Sequence, residues 1–287
     1  MGTIPKRSYK DGVELSIIGF GGIVVMNAEQ ANADRVVAEA VERGVNYFDV
    51  APSYGDAEQH LGPALEPYRK DVFLACKTGQ RERDAAEAEL DGSLNRLRTD
   101  YFDLFQLHGL VSIEKDVDPV FRKGGVIDML SEKKRAGQIR FIGFSAHTIE
   151  AAVAAMDRFD FDSVLFPLNF ACYKREAFGP AVIRKAQEKG AARLALKAMA
   201  KQKWPDDDPR RPTYAKCWYE PVTDREEADR ALRWTLSLPI TSAIPPGEEA
   251  LFRMALDIAS DFRPISEAED AALSMLAREL DPIFQKA

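Results

Sequence analysis

Three stretches decide the fold: Gly44-Val45-Asn46-Tyr47-Phe48-Asp49, Val72-Phe73-Leu74-Ala75-Cys76-Lys77 and Leu104-Phe105-Gln106-Leu107-His108. Each is a short apolar run that closes on a polar group, and such runs read as buried strands. The closing residues lie 28 and 31 positions apart, the length of one strand–helix–strand unit. In a parallel barrel the carboxyl ends of successive strands meet on one face, where the chemistry of such folds sits. A carboxylate, an ammonium and an imidazole therefore converge. The phenol of Tyr54 follows Asp49 by five residues, in the next loop.

Outward from these strands the same alternation continues. Asp11-Gly12 is a turn dipeptide, so residues 7–15 predict a short hairpin. Further strands are expected at 16–21, 140–145, 163–167, 194–199 and 241–245. Helices are expected at 29–43, 57–65, 84–97, 126–135, 149–159, 180–189, 225–238, 248–259 and 267–280, with apolar positions at helical spacing and Gly44 closing the first. Eight alternating strand and helix signals predict an α/β fold, a closed (β/α)8 TIM barrel, as one domain over residues 1–287. Two connections are long, 109–125 and 200–221, and both leave the catalytic face. The second carries Trp204, Tyr214, Trp218 and Tyr219, which suits a substrate wall or an excursion pinned by its own aromatics.

Composition narrows the function. The 287 residues fit one large barrel, and 46% hydrophobic residues supply its core. With 39 basic against 46 acidic side chains the net charge is −7, which argues against a nucleic-acid partner. No apolar run approaches a membrane span and the first residues lack a signal-peptide core, so a cytoplasmic protein is expected. Three widely spaced cysteines give neither a disulfide framework nor a metal spacing, and no metal is expected.

The convergent groups suit proton donation to a carbonyl. A tyrosine with a pKa of about 10 is a weak acid at neutral pH unless its phenolate is stabilised. Lys77 can stabilise it, Asp49 can keep Lys77 charged, and a neutral His108 can donate to a substrate oxygen as charge develops there. The alternative is a structural ion pair beside a core histidine.

Asp49-Val50-Ala51-Pro52-Ser53-Tyr54-Gly55 resembles the signature segment of the aldo-keto reductases, and Lys77-Thr78 and Leu107-His108 match the family's next catalytic positions. The resemblance runs from Leu15-Ser16-Ile17-Ile18-Gly19-Phe20-Gly21 to Ala243-Ile244-Pro245. It implies a barrel whose bottom the hairpin caps, and nicotinamide-dependent reduction of a small aldehyde or ketone. Tyr54 would be the proton donor, Lys77 and Asp49 its tuners, and His108 the orienting group. For the cofactor it implies contacts from Gly21, Gly22, Asp49 and Ser145. The pattern then departs: Ala146 and His147 follow Ser145, Leu165 and Leu196 replace a glutamine and a stacking aromatic, and Asn169 and Lys197 are the expected substitutes. These changes resemble an uncommon branch of the family. Resemblance favours NADP(H), with NAD(H) the alternative. Glu248 and Glu249 would repel a 2′-phosphate unless Arg253, Lys201 or Lys203 reaches in. Little chain follows the last helix, so loops 109–125 and 200–221 are expected to wall the pocket. Two other classes stay open: a cofactor-binding sensor or regulatory subunit on the same barrel, and an enzyme that uses Lys77 to form a Schiff base.

Overall fold

The computed structural model describes residues 3–285. Met1, Gly2, Lys286 and Ala287, which the expected barrel domain includes, lie outside the described residues. Strands are β1 (Lys6–Ser8), β2 (Glu14–Ser16), β3 (Phe20–Gly21), β4 (Tyr47–Asp49), β5 (Phe73–Thr78), β6 (Phe102–Leu110), β7 (Ile139–Ala146), β8 (Ser163–Pro167), β9 (Ala192–Leu196), β10 (Ala200–Gln202), β11 (Glu220–Pro221) and β12 (Ser242–Ile244). Eight of them form one parallel sheet in the order β3-β4-β5-β6-β7-β8-β9-β12. Its two edges meet at a bridge between Ile18 and Ala243, where Gly19 N donates to Ala243 O and Ala243 N to Ile17 O, both at 2.9 Å. The chain is a (β/α)8 barrel. Helices Gln30–Glu42, Ala57–Leu65, Arg83–Arg96, Val126–Arg135, Ile149–Arg158, Pro180–Glu188 and Arg225–Ser237 make the crossovers, and Glu249–Ser260 and Glu267–Ala277 follow.

Strands of a parallel barrel are covered on both faces, which is why these runs are continuously apolar. One core lies between sheet and helices; a second, including Tyr47, Phe73, Leu104, Phe141, Leu165 and Leu194, fills the barrel interior. The hairpin closes the amino-terminal end. Asp11 and Gly12 both take positive φ at its turn, and Tyr9 enters the inner core edge-on to Phe73 and Phe141. Its hydroxyl donates to Ser163 Oγ at 3.0 Å.

Three expectations change. The strand expected over 16–21 is only β3. Ser16 belongs to the hairpin, its Oγ donates to Ile18 O at 2.7 Å, and Gly19 passes so close to Tyr47 that a Cβ would lie 2.5 Å from the ring. The strand expected over 194–199 stops at Leu196, because Lys197 adopts φ +63° and turns the chain. A helix at Phe170–Glu176 was not expected. It is short, and its buried residues, Phe170, Ala171 and Cys172, sit together in its first turn, without a repeating helical stripe.

Candidate active site

Asp49 ends β4, and Lys77 and His108 lie near the ends of β5 and β6, so all three stand at the carboxyl end of the barrel. Tyr54 is fixed by a turn: its N–H donates to Ala51 O at 3.0 Å and its carbonyl accepts from Ala57 N at 3.1 Å. Gly55 permits that turn with φ +58°. The four side chains line one cavity of about 270 Å³. With them are Gly21, Ser145, His147, Leu165, Leu196 and Lys197, then Lys216, Trp218 and Tyr219 from the long loop, and Ile23 and residues 244–247 at the β12 side.

Lys77 has no exposed surface and Asp49 only 2%, so their charges must satisfy each other. The Lys77 ammonium pairs with Asp49 Oδ1 and donates to Val50 O at 3.1 Å. The other oxygen of Asp49 accepts from Tyr47 Oη at 3.1 Å and Gln106 Nε2 at 3.0 Å. Gln106 and Tyr47 were not anticipated. The signal was in the sequence: each lies two positions before a site residue on the same strand, and hence on the same face. Lys77 stands 5.4 Å from the centre of the Tyr54 ring, and His108 meets that ring edge-on at 5.7 Å.

The electrostatics correct one expectation. Desolvation of the partly buried Tyr54 phenol pushes it above its ordinary value; the Lys77 charge opposes this but does not reverse it, and Asp49 adds to the rise. Burial disfavours the Lys77 ammonium, yet Asp49 and Tyr54 outweigh it and Lys77 is held above its usual range. His108 is pushed down to about 3 by burial and by Lys77 and other cations, so it is neutral. Its Nδ1 lies 3.4 Å from Ser53 Oγ, leaving Nε2 without a protein partner among the described residues.

Of the expected cofactor contacts, Gly21, Asp49, Ser145 and Lys197 line the cavity, whereas Gly22 and Asn169 do not. Gly22 packs on the neighbouring strand's exit: a Cβ there would lie 2.6 Å from Val50 Cγ2. Asn169 is the N-cap of Phe170–Glu176, its Oδ1 accepting from Cys172 N at 2.9 Å. Ser145 Oγ accepts from Gly109 N at 2.8 Å.

The walls also differ from expectation. No residue of 109–125 lines the cavity. Trp204 is structural, donating its indole N–H to Cys217 O at 2.9 Å and stacking on Tyr214. From the tail, Phe284 stacks on His147 at 5.4 Å and meets Trp218 edge-on at 5.9 Å. Lys216 laces the long loop across the β12 side: its Nζ donates to Val24 O and its N–H to Glu248 Oε1, both at 2.7 Å. Arg253, Lys201 and Lys203 are each paired elsewhere, with Glu39 and Glu249, Glu227, and Asp281.

The aldo/keto reductase family model matches residues 18–216, and the chain belongs to that family. It is 34% identical over 148 residues to the uncharacterized oxidoreductase YqkF of Bacillus subtilis, covering 47% of this chain and 46% of that protein. It is 33% identical over 158 residues to the aldo-keto reductase YhdN of the same organism, covering 48% and 46%. The chain thus spans about half the length of the curated relatives it matches. The aldo-keto reductase AKR11C1 of Bacillus halodurans, in its holo form, superposes with a TM-score of 0.75 over 98% of both chains at 21% identity, a likeness of fold. Among the described residues no helix is long and apolar enough to cross a membrane, and no cluster of three metal-ligating side chains occurs.

Proposed function

We propose that this chain reduces an aldehyde or ketone to an alcohol with a nicotinamide cofactor, Tyr54 giving the proton. The observation that carries this reading is the meeting of Asp49, Tyr54, Lys77 and His108 in one cavity. The Tyr54 hydroxyl protonates the carbonyl oxygen, and the Lys77 ammonium stabilises the phenolate that remains. Asp49 keeps that ammonium charged and aimed, itself held by Tyr47 and Gln106. Neutral His108 donates to the same oxygen. When bound, the nicotinamide supplies hydride to the carbonyl carbon.

The cavity suits such a cofactor. Between Gly21 and residues 244–247 it is floored by apolar side chains, and a Cβ at Gly21 would lie 2.9 Å from Ile244 Cγ2, so glycine keeps this passage open. Gly21 and Ser145 would contact the nicotinamide end, with Lys216 across the β12 side. NADP(H) is the form we propose, on family grounds, and Lys216 is the cation on that side that lines the cavity. The relative affinities for NADPH and NADH test that choice. The reduction itself is tested by following NADPH oxidation with a panel of uncharged aldehydes. Steady turnover is expected. Tight NADPH binding without oxidation by any of them would contradict the reading and favour a sensor on the same barrel.

A further inference from the structure

Lys197 is a lysine in an unusual place. It follows β9 in the left-handed region, with φ +63°, a conformation that costs a non-glycine residue of order 1 kcal/mol and that concentrates at functional sites. Its side chain lines the cavity, and among the described residues no carboxylate lies within 4 Å of its Nζ. The ammonium instead lies 3.4 Å from His147 Nε2 and 5.6 Å from the ring centres of both Trp218 and Phe284. Its direction is informative. In the barrel order, β8 separates β7 from β9, so Lys197 reaches over β8 toward the residue just after β7. It leans away from the edge where Gly21 and Ile244 meet and toward the β7 end, close to Ser145, so it stands beside the nicotinamide end proposed for the cofactor, where a substrate would lie.

A cation walled by aromatic rings, without an acid partner, and open to the same cavity as Tyr54 and His108 is a site short of one anion. We propose that Lys197, backed by His147, is an oxyanion subsite that takes a carboxylate carried by the substrate, so that the enzyme prefers oxo acids over uncharged aldehydes. The proposal rests on the reductase reading and names its substrate class. Trp218 and Phe284 place ring faces 5.6 Å from the ammonium, close enough to favour its charged form.

The proton inventory makes the idea testable by pH. Burial, with Lys77 nearby, lowers the Lys197 pKa to about 7, Cys172 opposing the shift. The other groups facing it do not titrate near neutrality: His147 and His108 are both pushed down to about 3, and burial raises the Cys172 thiol and the Tyr54 phenol. Lys77 is held in its ion pair with Asp49. Acid preference should therefore be full below about 7 and decline as pH rises through it.

The probes are 3-carboxybenzaldehyde and 4-carboxybenzaldehyde, each against its amide. At pH 6.5 the acid should exceed its amide in kcat/KM by roughly 10- to 100-fold in at least one pair, as for a hydrogen bond to a charged partner. That ratio should shrink by pH 8.5. In Lys197→Met it should fall to about one, while in Lys197→Arg a clear acid preference should remain. A ratio near one in the wild type, a ratio independent of pH, or a ratio unmoved in Lys197→Met overturns the proposal. So does a tenfold weaker NADPH Kd in Lys197→Met, read by tryptophan fluorescence, with the ratio unchanged, which would give the ammonium to a cofactor phosphate. Should Lys197→Met fail to fold, the wild-type pH series decides alone. If the uncharged panel is reduced but neither acid is, the subsite proposal is overturned; if no aldehyde of either kind is reduced, the reductase reading fails, and calorimetry with 4-hydroxybutanoate and 4-hydroxybutanamide judges the subsite: equal affinities overturn it.

Discussion

Replacing Lys77 by Met removes one charge from a pair that has no water to fall back on. The catalytic part of the loss follows from the 5.4 Å between the Lys77 ammonium and the Tyr54 ring. At an effective dielectric of about 20, a unit charge that far from the ring centre contributes on the order of 3 kcal/mol to a phenolate whose charge is shared between ring and oxygen. Proton donation should slow by about 150-fold. The structural part is separate. Asp49 would stay buried with only Tyr47 and Gln106 as donors, and breaking a buried pair costs about 3–5 kcal/mol of stability. The double variant Asp49→Asn/Lys77→Met removes both charges and should recover much of that stability but none of the rate. Single-turnover reduction of an uncharged aldehyde at saturating NADPH gives the rate, and thermal melts give the stability. A single variant that reduces aldehyde within threefold of wild type would refute the electrostatic argument.

Three further outcomes are expected. Because burial holds Tyr54 above its ordinary value, oxidation of benzyl alcohol, which needs the phenolate, should still be rising at pH 10; a plateau near pH 8 would contradict this. Trp218→Ala should reorder a panel of aldehydes, whereas Trp204→Ala should lower the melting temperature and leave the order intact, because only Trp218 lines the cavity. Gly22→Ala should cost about 1–3 kcal/mol in a denaturant titration, since its methyl would lie 2.6 Å from Val50 Cγ2; no loss would mean that Val50 yields freely.

What was legible in the sequence, and what was not, follows from how each residue is held. Asp49, Lys77 and His108 could be read because strand ends in a parallel barrel share a face, and that rule needs no knowledge of loops. The helices Ala57–Leu65 and Val126–Arg135 fall at their expected bounds because their apolar spacing is set by core burial. Asn169 has a second task that its polarity did not show: its side-chain oxygen caps a helix too short to show a period, while its buried Nδ2 has no partner among the described residues. Loop 200–221 held four aromatics, and nothing in their order distinguished Trp218, which faces the cavity, from Trp204, which pins the loop. Phe284 stood alone in the tail, and only the fold brings it beside His147. The net direction of the Tyr54 shift was hidden for a related reason: Lys77 is visible in the sequence, but the burial that outweighs it is not.

The central claim is that the Tyr54 hydroxyl is the proton donor, and Tyr54→Phe tests it most directly by removing that oxygen and keeping the ring that packs against His108. Pre-steady-state NADPH oxidation by a good aldehyde should fall by about 10²–10⁴-fold, with the NADPH Kd close to wild type. Reduction within tenfold of wild type would contradict the account and hand the proton to another group in the cavity.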